Sequence, residues 1–274
     1  MIFVMGGDGQ LGSAFVRHLG DHCRPVLQQD LDLTREGTID TWIERTRPGL
    51  VINCAAYTAV DQAEADEETA RAINASAVGA LATATARIGA RFVTYSTDYV
   101  FDGRKETGYV ESDPPHPLNV YGRTKLKGER LALKAHPDAL VVRTSWLLSA
   151  SHRNFLSNIL DRLVHGRVSV VDDQRGRPTF VDDLVRATLA AIESGATGVL
   201  HLTNQGETTW YGLAIEIATL AGYDPGLVTP ITSNDLEQPA LRPANSVLDS
   251  ERLEGLGLDP MPQWRETLRG LLPA

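Results

Sequence analysis

The chain is poor in cysteine. Of 274 residues only Cys23 and Cys54 are cysteines. No C-x-x-C or H-E-x-x-H pattern occurs. A disulfide framework and a structural zinc site are therefore not expected, and no metal ligand set is assigned. Long apolar runs are missing too: nothing approaches the ~18 residues of a membrane span. The opening MIFVMGGDGQ has no charged segment before its short apolar run, so it does not read as a secretory signal. Together these absences predict a cytoplasmic protein in a reducing compartment. Positive charge is also short, with 26 Lys and Arg against 35 Asp and Glu. A formal charge of −9 disfavours nucleic acid or an anionic membrane as the main partner, since both need a net basic face. A small anionic ligand needs only a local cluster of donors and stays open.

What is present is an ordinary globular composition, 42% apolar and 22% charged, long enough for one large domain or two small ones. Over the first 145 residues short apolar runs alternate with helix-like segments. IFVM (2–5), PVL (25–27), LVIN (50–53), RFVTYS (91–96) and ALVVRTS (139–145) read as buried parallel strands. Helices are predicted over 10–19, 36–47, 66–88 and 119–134. This alternation implies an α/β fold, a doubly wound parallel sheet covered on both faces. After residue 148 the pattern is less regular. Strands are predicted at 167–173 and 198–204, and amphipathic helices at 180–194 and 209–222; a proline-rich, loop-rich stretch follows from 223. The expected organisation is a nucleotide-binding Rossmann unit over 1–148, with a return segment near 180–204, and a smaller substrate-binding unit formed mainly by 149–274.

FVMGGDGQLG places glycines at 6, 7, 9 and 12 directly behind the first strand, with a helix pattern opening at Gln10. Glycine lets the backbone turn sharply and approach a pyrophosphate, and the helix N-terminus offers free N–H groups. A dinucleotide cradle is predicted there. The second strand ends in VLQQDLDLT. A carboxylate in that place binds the ribose 2′-hydroxyl of NAD, and an arginine favours the 2′-phosphate of NADP. Gln28 and Gln29 are neither, so weak discrimination between NADH and NADPH is expected, with Arg24 or Arg35 as the nearest guanidinium. Asp30 is close but its register is open; Asp32 either caps the next helix or faces the adenine.

Strands three and four end in VINCAAY and TYSTDYVFDG. Ligands bind outside the carboxyl ends of strands in such sheets. Ala55, Ala56, Tyr57, Thr58, Ser96, Thr97 and Asp98 are thus expected around one cleft, although Thr97 and Asp98 also suit a loop cap. DQAEADEE (61–68) reads as a solvated acidic helix start. NVYGRTK (119–125) opens a helix behind Asn119 and puts Tyr121 and Lys125 on one face. An ammonium beside a phenol favours phenolate, so Lys125 is expected to lower the pKa of Tyr121. Tyr121 can then protonate a carbonyl oxygen as hydride reaches its carbon, with Thr97 binding the same oxygen.

With these motifs in hand, the chain resembles the extended short-chain dehydrogenase/reductases and, within them, the dTDP-4-dehydrorhamnose reductases. The resemblance rests on GGDGQLG (6–12), DLDLT (30–34), NCAAYTAVDQAE (53–64), STDYVFDG (96–103), YGRTKLKGE (121–129), RTSWL (143–147), DQRGRPT (173–179) and RPANSVLD (242–249). It implies reduction of the C4 keto group of dTDP-4-dehydro-β-L-rhamnose to dTDP-β-L-rhamnose with NADPH or NADH. It implies Thr97, Tyr121 and Lys125 as catalytic residues. On the cofactor side it implies Gly6, Gly9, Gln10, Leu11, Gly12, Asp32, Leu33, Ala55, Ala56, Tyr57, Thr58 and, at the nicotinamide ribose, Lys125. On the sugar-nucleotide side it implies Asp98 and Trp146. Asn154, Phe155 and the arginines 175, 177 and 242 are added as candidates for the diphosphate and base, without a choice among Arg175, Arg177 and Arg242. Some members use a glutamate in a magnesium-bridged dimer; Ala14 stands there in this chain, so a monomer or a differently built homodimer is expected. Two alternatives stay open: a reductase of a related dTDP-4-keto-6-deoxysugar, and a non-catalytic NADP-binding regulatory subunit like that of methionine adenosyltransferase.

Overall fold

A computed structural model describes residues 1–35 and 37–272 of the chain. In chain order the first half contains β1 (Ile2–Met5), α1 (Gln10–Leu19), β2 (Cys23–Val26), α2 (Thr38–Thr46), β3 (Leu50–Asn53), α3 (Val60–Ala65), α4 (Glu67–Arg71), α5 (Ala77–Arg87), β4 (Arg91–Thr97), α6 (Val120–Ala135) and β5 (Leu140–Thr144). Then come β6 (Leu147–Leu148), α7 (Phe155–Leu163), β7 (Val168–Val171), β8 (Arg175–Gly176), β9 (Thr179–Phe180), α8 (Val181–Glu193), β10 (Gly198–His201), β11 (Thr208–Thr209), α9 (Trp210–Leu220), β12 (Val228–Ile231) and α10 (Trp264–Leu271).

The main sheet has six strands in the order β10-β5-β4-β3-β1-β2, and every neighbouring pair is parallel. Its strands are apolar on both sides because both sides are covered. Val4, Ile52, Val93 and Val142 meet Phe15 of α1 and Leu184 of α8 on one face. Phe3, Val51, Phe92 and Val141 meet Ile43 of α2 and Leu81 of α5 on the other. The chain leaves β1 towards β2, then returns to place β3 on the opposite side. The carboxyl ends of β1 and β3 therefore flank the point where the winding reverses, the place where such sheets hold ligands.

The later segments divide. α8 and β10 return to the main sheet, β10 beside β5. The remaining elements gather around a separate apolar cluster that includes Trp146, Leu148, Leu156, Phe180, Leu213, Ile217 and the fully buried Trp264. The helix expected over 36–47 is found as α2; its first residue, Glu36, lies outside the described residues. The single helix expected over 66–88 is interrupted. Residues 72–76 form a wide π-type turn between α4 and α5. The cause is Asn74, whose buried amide leaves the helix surface: Oδ1 accepts from Tyr57 N–H at 2.9 Å, and Nδ2 donates to the Tyr57 carbonyl at 3.0 Å and to Thr124 Oγ1 at 3.2 Å. Gly128 of α6 permits the approach, since a Cβ there would stand 2.1 Å from the Asn74 carbonyl oxygen.

Candidate active site

The loop behind β1 turns at Gly6, whose φ of +66° favours glycine. α1 then starts so close beneath it that a Cβ on Gly12 would lie 2.0 Å from the Gly6 carbonyl oxygen. Gly9 caps α1 without a side-chain bond, and the first turn contains no acidic residue. The orphan N–H groups of that turn are thus available to an anion. Gln10 Nε2 is buried there with no partner. Beside the loop lies a cleft of ≈ 290 Å³, lined among others by Gly6, Gly9, Gln28, Asp32, Leu33, Ala55 and Ala56.

These positions include six of the predicted cofactor residues: Gly6, Gly9, Asp32, Leu33, Ala55 and Ala56. Leu11 is buried in the core and Gly12 lies under the loop. Asp30 turns back to accept from Leu27 N–H at 2.9 Å. Asp32 accepts from Thr34 N–H at 2.9 Å and pairs with Arg35 at 3.3 Å. The Thr34 hydrogen bonds, with Arg35 behind them, hold Asp32 below the ordinary carboxylate range. Arg24 instead lies over the Phe3 ring.

The second half of the site stands at the end of β4. Thr97 closes the strand and caps the short helical turn Asp98–Val100: its Oγ1 accepts from Tyr99 N–H at 3.2 Å and donates to Asp98 Oδ1 at 2.9 Å. α6 begins behind Asn119, whose Oδ1 accepts from Gly122 N–H at 2.8 Å. This start sets Tyr121 edge-on to Tyr99, with ring centroids 5.8 Å apart, and packs it with Tyr57 against Val120. Thr58 is exposed. Lys125, one turn on, is 5% exposed and makes no ion pair among the described residues.

The electrostatics differ from the sequence expectation in sign. Lys125 does not pull the Tyr121 phenol down. Burial pushes it up to about 12; the Thr97 hydroxyl pulls it back in part and Asp98 opposes. Burial also lowers Lys125 to about 8, resisted by Glu129 and Cys54. Asp98 is raised to about 6, by burial first, against the hydroxyls of Ser246 and Thr97. By geometry Thr97 is the hydroxyl bonded to Asp98; Ser246 Oγ lies near but donates to the Arg175 carbonyl at 3.2 Å, and Asp98 Oδ2 has no hydrogen-bond partner.

On the substrate side most candidates are already engaged. Trp146 stacks on Trp210 at 3.6 Å and covers Gly176, where a Cβ would be 2.4 Å from its ring. Asn154 caps α7, and its Nδ2 donates to the Ser149 and His152 carbonyls. Phe155 packs against Trp210. Arg175 pairs with Glu207 at 3.0 Å, Arg177 with Asp249, and Arg242 with both oxygens of Asp61 at 2.5 and 2.6 Å. The acidic stretch 61–68 is not merely solvated. Asp61 meets Arg242, and Glu64 Oε1 accepts from Val120 N–H at 2.7 Å, at the mouth of α6. Sequence reasoning missed Asn74, Glu129 and Arg143. An asparagine inside a helical pattern was a usable signal for the first, since such side chains compete for backbone bonds.

The whole chain, residues 1–274, matches the family model described as RmlD substrate binding domain. It is 43% identical, over 98% of this chain and 94% of the relative, to a "Probable dTDP-4,6-dihydroxy-2-methyloxan-3-one 4-ketoreductase" of Streptomyces antibioticus. It is 40% identical to a dTDP-4-dehydrorhamnose reductase of Burkholderia thailandensis, over 96% and 95% of the two chains. The crystal structure of a dTDP-4-dehydrorhamnose reductase from Bacillus anthracis in complex with NADP superposes with a TM-score of 0.95 at 34% identity, covering 98% of this chain and 97% of that one.

Proposed function

This chain belongs to the RmlD substrate binding domain family, and we propose that it is an NAD(P)H-dependent reductase converting dTDP-4-dehydro-β-L-rhamnose to dTDP-β-L-rhamnose. The observation that carries this reading is the meeting of Thr97, Tyr121 and Lys125 at the end of β4, beside the glycine-loop cleft. The loop fits a dinucleotide: it offers uncapped helix N–H groups, an orphaned Gln10 amide, and a glycine crossing that any side chain would block. When bound there, NAD(P)H supplies the hydride for C4. Gly6, Gly9, Asp32, Leu33, Ala55 and Ala56, which line the cleft, would hold it, and Lys125 would hold its nicotinamide ribose.

The protein's own part is the proton. Tyr121 stays a neutral phenol below about pH 12, so it carries the proton for the C4 oxygen at neutral pH. Lys125, one turn on, is assigned to the cofactor ribose and not to lowering the phenol's pKa, since it is not among the groups that shift Tyr121. The Thr97 hydroxyl gives its proton to Asp98 Oδ1 in this structure and would turn from Asp98 to donate to the same oxygen when substrate is bound. The enzyme is read as cytoplasmic, acting on a free nucleotide sugar as a monomer or homodimer. The 43% identity to a 4-ketoreductase of another dTDP sugar supports a second reading, a related dTDP-4-keto-6-deoxysugar as substrate.

The test is oxidation of NADH and NADPH with a panel of enzymatically made dTDP-4-keto sugars, with product stereochemistry read by NMR. Turnover of the rhamnose precursor is expected, with Tyr121→Phe slower by about 10²–10⁴-fold and binding NADPH normally. Turnover confined to another sugar selects the second reading. No turnover with any of them removes the catalytic one.

A further inference from the structure

α6 carries a third titratable group on the face of Tyr121 and Lys125. Glu129 follows Lys125 by one more turn, so residues 121, 125 and 129 form an i, i+4, i+8 row. Glu129 is 4% exposed, as is Arg143 of β5. The two form a bidentate pair: Arg143 Nε donates to Oε1 at 2.9 Å and Nη2 donates to Oε2 at 2.7 Å. Arg143 is fixed from its other sides. Its guanidinium lies over the Phe101 ring, and Nη1 faces His201 Nε2 at 3.4 Å. His201 in turn donates from Nδ1 to the Asp249 carbonyl at 2.8 Å. Burial, ahead of the opposing Glu111, lowers the His201 pKa, so this imidazole is neutral and can accept from Arg143.

A buried ion pair is a costly way to stabilise a fold, because desolvation offsets much of its attraction. This pair does something an apolar pair cannot. Both Glu129 oxygens accept from Arg143, and among the described residues no hydrogen bond or ion pair joins Glu129 to Lys125, so the carboxylate attracts Lys125 across space and the lysine keeps its N–H groups. We propose that Glu129, locked by Arg143, is a positioning residue that keeps Lys125 an ammonium at neutral pH while leaving its N–H bonds to the cofactor ribose. The proposal rests on the reading of Lys125 as the cofactor-side cation.

The surroundings favour this assignment. Cys54 faces Lys125 from the end of β3, and burial keeps it a thiol. Tyr121 and Asp98 lie towards the helix start. From α3, Glu64 is bonded to Val120 N–H. α5 offers Arg87, which is turned to Asp40 and Glu44. Glu129 is thus the carboxylate that opposes the desolvation of Lys125. The sign follows: the ammonium is lost as pH rises through the lysine's pKa, and removing Glu129 brings that loss to lower pH.

The chain's lysines are Lys105, Lys125, Lys127 and Lys134, so NMR of protein labelled at lysine Cε can follow Lys125 directly, with Lys125→Met for assignment. Glu129→Gln is expected to lower its midpoint by about one pH unit, the low end for loss of a neighbouring opposite charge. The alkaline loss of NADPH affinity, measured by fluorescence titration, should move with it. Glu129→Asp keeps the charge and should keep the wild-type midpoint. Arg143→Gln frees Glu129 to bond Lys125, so the midpoint should rise while NADPH affinity falls. A folded Glu129→Gln protein titrating like wild type overturns the proposal. Should that variant not fold, the Glu129→Gln/Arg143→Gln double variant, which strands no buried charge, decides: a midpoint below wild type supports the clamp, and an unchanged one overturns it. Neither readout involves turnover, so failure of the 4-keto-sugar assay and failure of the clamp are separately visible.

Discussion

Asp98 sits 3% exposed between a strand end and a helical turn, and its carboxyl is raised from 3.8 to about 6. A carboxyl raised on folding favours the folded state most where it is protonated. That contribution is full below pH 3.8 and is lost as pH rises through about 6. Above that window the ionised group costs stability, up to about 3 kcal/mol at 1.36 kcal/mol per pH unit. It accepts from the Thr97 hydroxyl at 2.9 Å, the group proposed above to bind the C4 oxygen. Asp98→Asn is therefore expected to gain more melting temperature over wild type near pH 8 than near pH 5, by several degrees at about 2–4 °C per kcal/mol, and to lose turnover. Equal shifts at both pH values, from thermal melts, would remove the ionised carboxylate as the cause. The spacing of Tyr121 and Lys125 was legible because i, i+4 neighbours are set locally. Their pKa directions were not, because burial decides both, and burial is set by tertiary packing that a local pattern does not show.

Elements with a strong period were readable close to their ends: β1, β3, α1 and α8 lie within a residue of the sequence expectation. The expected strands at 25–27, 167–173 and 198–204 fit less closely, and the long helix breaks at the wide turn 72–76, where the side-chain bonds of Asn74 to Tyr57 and Thr124 outweigh helix propensity; those partners are invisible to a local pattern. The glycine loop was readable for the opposite reason, since its chemistry is backbone chemistry. Its test lies in the crossing of α1 under the loop. Gly12→Ala places a methyl 2.0 Å from the Gly6 carbonyl oxygen, and neither partner is a flexible side chain, so the loop must move. We expect at least about tenfold weaker NADPH binding, roughly 1.4 kcal/mol, in a protein that still melts cooperatively. Wild-type affinity in fluorescence titration would show that the loop yields without disturbing the cradle.

At the scale of the whole molecule, an acidic chain that must bind a diphosphate has its candidate arginines matched to carboxylates 32, 72 and 181 residues away. Such distances are why sequence reading left the three arginines equivalent; the structure separates them. Arg175 is 43% exposed in its pair and can turn towards a ligand at little cost. Arg242 is different. It grips Asp61 with both guanidinium arms and holds it below the ordinary carboxylate range. The same segment is tied down where the Ala240 N–H donates to Asp61 at 3.2 Å and Asn119 Nδ2 donates to the Leu241 carbonyl at 2.7 Å. Asn119 also caps α6. The pair therefore straps the 240–242 segment across the start of α6. A strap and a diphosphate ligand predict different mutant patterns. If Arg242 orders the segment, Asp61→Ala and Arg242→Ala should each raise KM for the sugar nucleotide by about tenfold, close to 1.4 kcal/mol, and the double variant should be no worse than either single one. KM for NADPH should stay near wild type in all three. If Arg242 instead binds the diphosphate, Asp61→Ala leaves the guanidinium free, and KM should hold or fall while Arg242→Ala raises it. Initial rates at saturating NADPH with varied sugar nucleotide distinguish the two. We expect the strap pattern, because the bidentate geometry leaves the Arg242 side chain only 12% exposed, and an Asp61→Ala enzyme with unchanged or lower KM would return Arg242 to the diphosphate.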